Sequence, residues 1–116
     1  MSQHDQTVYV RHMLDAARKA VGYTLGKTKQ DLLINELLSL AIVQLLQILG
    51  EAARRTSAEY RATTPQIPWR QIIGTRDRLA HGYDQVNYDT VWTILTDELP
   101  PLIAKLEQLV PPEAAP

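Results

Sequence analysis

The sequence contains no cysteine. Disulfide frameworks, thiolate zinc sites, iron–sulfur clusters and cysteine nucleophiles are therefore excluded. Nor is there an excess of one charge: twelve Lys and Arg stand against thirteen Asp and Glu, a formal net charge of −1. Bulk charge thus gives no reason to expect a nucleic-acid partner. No uninterrupted apolar run approaches the roughly 20 residues that cross a bilayer. The stretch from Met1 to Asp5 is polar and lacks the basic patch and apolar run of a secretory signal. A soluble, cytoplasmic protein with no membrane partner is the expectation. Strand-like alternation is also missing, and with it any Gly-rich phosphate loop following a strand. The three histidines, His4, His12 and His81, never fall at His-x-x-x-His or Glu-x-x-His spacing. A helical metal site is accordingly not expected, and nothing in the sequence calls for a cofactor.

What is present is a packed, helical pattern. With 116 residues, 45% hydrophobic and 22% charged, the chain has the size and composition of one globular domain spanning residues 1–116. Apolar residues recur at three-and-four spacing nearly throughout. A first helix is expected over about residues 6–22, with Val8, Met13, Ala16, Ala20 and Val21 on one stripe. Gly26 to Lys29 break it, and Thr28 or Asp31 can cap the next helix. That second helix reads as one long element from about residue 29 to 62. Ile34, Leu37, Ala41, Leu45, Ile48 and Ala52 form one stripe, and Leu33, Leu38, Ile42, Leu46 and Leu49 a second band beside it. A helix apolar over this much of its circumference needs cover on two sides, one from its own domain and one from a second subunit. Thr63, Thr64, Pro65 and Pro68 separate it from a third helix that starts at Trp69 and runs to His81, with Gly82 as a stop. A fourth helix begins near Tyr88 and is kinked or split at Pro100-Pro101, and residues 110–116 are expected to fray. The expected fold is an all-α, up-and-down bundle of four main helices.

Charge is unevenly spread along this chain. Residues 51–81 hold six arginines against Glu51, Glu59 and Asp77, whereas residues 82–116 hold Lys105 alone against six acids. Within the basic segment, Arg76-Asp77-Arg78-Leu79-Ala80-His81-Gly82-Tyr83 gathers two guanidiniums, a carboxylate, an imidazole and a phenol. Imidazole titrates near neutrality, and a permanently charged arginine can hold a phosphate and stabilise added negative charge. Those are the parts that metal-free RNA cleavage requires: a base for the 2′-hydroxyl, a cation at phosphorus and an acid for the leaving 5′-oxygen. Plainer roles exist for the same residues. His81 can sit at a helix C-terminus for its dipole, Arg76 and Arg78 can form a surface cluster around Asp77, and Tyr83 can pack its ring on the bundle. Trp69 and Trp92 read as core anchors. One histidine cannot be acid and base in a single step, a difficulty that a symmetric dimer with two motifs in one cleft removes.

The spacing Arg-x-x-x-x-His-x-Tyr, formed here by Arg76, His81 and Tyr83 with Asp77 after the arginine, resembles the motif of the HEPN superfamily. The chain is similar in particular to HepT-like toxins of the HepT–MntA type. Ile48-Leu49-Gly50-Glu51-Ala52-Ala53, Ile67-Pro68-Trp69-Arg70, Val86 to Trp92 and Asp97-Glu98-Leu99-Pro100 extend the resemblance over roughly residues 8–110. It implies a metal-independent endoribonuclease acting on RNA as a homodimer, with the two motifs meeting at the subunit interface. By that resemblance Arg76 and His81 are the catalytic pair, and Asp77 and Arg78 support them. Tyr83 is the residue to which a partner antitoxin, a minimal nucleotidyltransferase, transfers AMP to silence the toxin. Asp77 departs from the asparagine frequent at its position. Two other readings stay open: a non-catalytic helical partner of a nucleotidyltransferase, and a DNA-binding regulator using the arginine segment.

Overall fold

The computed structural model describes residues 3–80 and 85–112. Among these residues the protein is an all-α helical bundle, with a single isolated antiparallel bridge, Ala80 to Val86, in place of any strand. Helix α1, Gln3–Tyr23, buries Val10, Met13, Leu14, Ala16, Ala17 and Ala20. The expected stripe holds at Met13, Ala16 and Ala20, whereas Val8 lies outside the core at 44% exposure. Gly26, at φ +75°, makes the turn that follows, a left-handed conformation that glycine adopts without steric cost. Helix α2, Lys29–Ile34, opens with a reciprocal capping box: the Asp31 amide donates to Thr28 Oγ1, and the Thr28 amide donates to Asp31 Oδ2 at 2.8 Å. Both residues proposed as caps thus take part.

The long second helix of the sequence reading is in fact three segments. Helix α2 ends at Asn35, whose side chain then caps helix α3, Glu36–Arg55, by accepting from the Leu38 amide at 3.0 Å. Helix α3 ends at Thr56, whose hydroxyl returns to the Ala53 carbonyl at 2.6 Å. Ser57 then caps helix α4, Ala58–Thr63, through Tyr60, while its own amide donates to Gln6 of α1 at 2.7 Å. Short polar side chains that bond to nearby backbone compete with continued helix, and here they win twice.

Helix α3 lies along α1 and is the central element of the bundle. Its band of Ile42, Leu46 and Leu49, extended by Ala52 and Ala53, is buried, with Leu38 half-buried beside it. The other stripe is only partly outward: Ile34 is 71% exposed, Leu37 81% and Ile48 39%, with Leu40 beside them at 60%, whereas Ala41 and Leu45 are half-buried and Ala52 is buried. By length and composition α3 could span a bilayer, but its inner face packs on α1 as a core helix does.

Pro65 and Pro68 lead into helix α5, Trp69–Ile73, as expected. The Trp69 indole N–H donates to the Thr64 carbonyl and hydroxyl, and its ring meets Tyr60 edge-on at 6.2 Å, making it a core anchor. The third helix does not continue to His81. It breaks at Gly74 and resumes as helix α6, Thr75–Leu79, which ends at Ala80 in an extended conformation (φ −71°, ψ 138°). At the break, Thr75 Oγ1 donates to the Ile72 carbonyl at 2.5 Å. This junction crosses α3 at Gly50, where a β-carbon would stand 3.0 Å from the Ile72 carbonyl oxygen and 3.3 Å from Thr75 Cβ. Glycine is what lets the two backbones approach so closely.

Asn87 caps helix α7, Tyr88–Thr93. A π-helical turn, Ile94–Glu98, follows and leads into helix α8, Leu99–Glu107, with Pro100 and Pro101 in its first turn. The chain thus stays helical from Tyr88 to Glu107 and is not split at Pro100-Pro101; the irregularity is the π-helical register just ahead of the prolines, which have no amide hydrogen to give to the preceding turn. Trp92 is half-buried against the core. Beyond α8, the Pro111 carbonyl accepts from Arg11 Nη2 at 2.7 Å, so the start of the supposedly frayed tail is tied to α1.

Candidate active site

Helix α6 is too short to hold its own conformation, and its geometry comes from what its side chains grip. Thr75 and Leu79, four residues apart on one face, are buried. Arg76 and Arg78 project from the two flanks of that face, about 200° apart around the helix. Each flank meets a different environment.

On one flank, Arg76 and Asp77 line a groove of about 450 Å³ together with Gln47, Ile48, Glu51 and Arg54 of α3. An adjoining recess shares Gln47, Arg76 and Asp77 and adds Val43, Ala80, Gln85 and Val86. Arg76 and Asp77 are both exposed, and among the described residues neither side chain has a hydrogen bond or ion pair. The opposite sign is also present in the groove. Glu51 accepts from Arg54 at 2.5 Å and lies near Arg55, and these contacts hold its carboxyl below the usual carboxylate range. Arg54 is thus already partnered, which leaves Arg76 as the guanidinium available to a phosphate.

On the other flank, Arg78 forms a bidentate pair with Glu98: Nη1 donates to Oε1 at 2.8 Å and Nη2 to Oε2 at 2.7 Å. Both side chains are only 28% exposed. The hydrogen bonds to Glu98 raise the guanidinium pKa above its ordinary value. Arg78 is therefore engaged with the π-helical turn, and the surface cluster of two arginines around Asp77 does not form.

His81 and Tyr83 lie outside the described residues. The chain on either side of them is fixed, however. The Asn87 amide donates to the Leu79 carbonyl at 2.7 Å beside the Ala80–Val86 bridge, and Ala80 and Gln85 both line the recess next to Arg76. Helix α6 stops at Leu79 and Ala80 is extended, so no continuous helix runs on from Arg76 beyond that point. The break at Gly74 leaves two five-residue pieces, α5 and α6, where a DNA reader needs one recognition helix to lie in a groove.

Sequence reasoning overlooked several parts of this site. Gln44 and Gln47 of α3 face the groove, and their signal was available as two amides interrupting an apolar run. Glu51 was noticed only in the charge count and as part of a signature. Glu98 had no local signal, since its partner is 20 residues away.

Among the described residues, the fold and groove define an all-α protein with an exposed arginine on a short helix facing a groove along its central helix. The family model for HepT-like ribonucleases matches residues 13–109, and the chain belongs to that family. A relative from Caldanaerobacter subterraneus subsp. tengcongensis, named a "Putative RNase", is 30% identical over 105 residues, covering 90% of this chain and 94% of its own. Another of that name, from Methanocaldococcus jannaschii, is 26% identical over 107 residues, 92% of this chain and 98% of its own. A Thermococcus cleftensis protein named "Probable ribonuclease HepT" is 28% identical over 101 residues, 87% of this chain and 92% of its own. No solved structure matches the chain.

Proposed function

We propose that this protein is the cytoplasmic toxin of a toxin–antitoxin pair, an endoribonuclease that cleaves RNA without a metal ion at a site shared by two subunits. The observation that carries the reading is the exposed Arg76 guanidinium, without a partner among the described residues, in a groove that runs into the exposed face of α3. Leu37, Leu40, Gln44, Ile48 and Glu51 recur at three-and-four spacing on that face, so the groove and the exposed apolar stripe are one surface. A second copy laid on the stripe brings a second motif toward the first.

In the proposed reaction one His81 imidazole takes the proton of a ribose 2′-hydroxyl, and the oxygen attacks the adjacent phosphorus. Arg76 stabilises the charge that builds on the phosphoryl oxygens. The bond from phosphorus to the 5′-oxygen breaks, and the second subunit's imidazolium supplies the proton to the leaving oxygen. The products are a 2′,3′-cyclic phosphate and a 5′-hydroxyl. Silencing follows when the Tyr83 phenol oxygen attacks the α-phosphorus of ATP on a nucleotidyltransferase antitoxin. Pyrophosphate leaves and AMP stays on the tyrosine. The added phosphate then competes for Arg76 and repels an RNA backbone.

The test compares the parent protein with Arg76→Ala and His81→Ala, each checked to be a folded dimer. Arg76→Ala is expected to lower cleavage by about 10²–10³-fold, and His81→Ala by about 10²–10⁴-fold. If none of the three cleaves while Tyr83 is shown by mass to be unmodified, the protein is instead a non-catalytic partner of the nucleotidyltransferase.

A further inference from the structure

The Arg78–Glu98 pair lies outside the groove, yet it grips the helix that carries Arg76. Thr75 and Leu79 seat α6 on the core, where the helix packs on α3 and α7. The bidentate pair holds one flank of that buried face and Arg76 stands on the other, so a turn of α6 that followed loss of the Arg78 pair would move Arg76 relative to Gln47 and Glu51. The anchor is itself set by an irregularity. Glu98 is the last residue of the π-helical turn, and in that register the residues after the turn face a different direction than a continued α-helix would give them. Such turns occur often at functional sites. The guanidinium's planar fork fits the carboxylate with two parallel bonds and so fixes orientation as well as distance, which a lysine cannot do.

We infer that Arg78 and Glu98 are positioning residues for RNA cleavage, a bidentate clasp that sets the roll of α6 so that Arg76 faces the groove. The inference rests on Arg76 having the role proposed above. In this account Arg78 never touches the substrate: to do so it would have to leave Glu98 half-buried and unpaired.

The experiment measures kcat and KM for RNA cleavage by the full chain carrying Arg78→Lys, Glu98→Gln, Glu98→Arg, or the exchanged pair Arg78→Glu with Glu98→Arg. Assays run well below each variant's melting temperature. Misplacing a catalytic group by an ångström can cost about 10²-fold, and a clasp that fixes orientation predicts kcat lowered by about 10-fold or more in Arg78→Lys and Glu98→Gln, with KM within about twofold. The exchanged pair is expected to recover activity relative to Glu98→Arg alone. A raised KM at unchanged kcat in Arg78→Lys would make Arg78 an RNA contact and overturn the inference. So would a lowered melting temperature with kcat intact, which would reduce the pair to a brace. If the parent protein proves unable to cleave RNA, the proposed function fails on its own, and the clasp is read from the Arg76 side-chain Nε–H resonance. A shift of that resonance in Glu98→Gln supports the clasp, and an unchanged resonance overturns it.

Discussion

Gly50 and Arg76 occupy opposite sides of the same helix crossing, and the first determines how closely the second can approach α3. Since an added β-carbon would stand 3.0 Å from the Ile72 carbonyl oxygen, Gly50→Ala must push the α5–α6 junction outward. The obstacle is backbone and cannot rotate away. Overpacking of this kind costs about 1–3 kcal/mol, so Gly50→Ala is expected to lower the urea midpoint without changing the slope of the transition. An unchanged midpoint would mean the junction yields freely. At this scale the sequence was most legible where chemistry is local: Arg76, Asp77 and the capping pair Thr28 and Asp31 could all be singled out from neighbouring residues. It was least legible for Glu98 and Gly50, because a pair 20 residues apart and a crossing of two helices are products of the fold.

Among the helices, their presence was easier to read than their breaks. The apolar spacing of the second helix runs through Asn35 without interruption, and Thr56-Ser57 lies inside a plausible helix, so periodicity alone joins three segments into one. The capping preference of Asn and Ser was the signal for the breaks, and the stronger apolar pattern masked it. The capping box of α2 gives an element-scale prediction. The Thr28 amide and then its hydroxyl hold the Asp31 carboxyl below its ordinary range. A carboxyl depressed on folding contributes stability that is complete above its unfolded pKa and is lost as pH falls through the folded value. Thr28→Ala removes the hydroxyl and is expected to destabilise by about 1 kcal/mol near neutral pH. It should also move the Asp31 titration, followed by carboxyl carbon NMR, back toward the ordinary value. An unmoved titration would show that the backbone amide alone sets it.

For the molecule as a whole, the shape explains why a face is left bare. Its extents are 43 × 36 × 20 Å, and 20 Å is about two helix diameters. In a slab that thin, α3 packs on α1 and on the α5–α6 junction, and among the described residues its face carrying Leu37 and Leu40 is left uncovered. The two apolar bands of α3 were visible in the sequence, but which of them faces inward was not, because either could pack on α1. The proposed dimer makes a direct prediction here. Leu37→Glu places a charge at a site 81% exposed in the single chain, so it should keep the helical circular dichroism, sediment as a monomer and lose RNA cleavage. A Leu37→Glu protein that stays dimeric and active would remove the stripe from the interface.

The central claim, that the paired Arg76 and His81 motifs cut RNA by internal attack of the 2′-hydroxyl, is tested most directly by the ends of the products. The measurement is mass analysis of RNA fragments made by the purified parent protein in EDTA, with Tyr83 confirmed unmodified. Fragments ending in 2′,3′-cyclic phosphate and beginning with a 5′-hydroxyl are the predicted result. Cleavage that appears only when a divalent cation is restored, or that leaves 5′-phosphate ends, would contradict it.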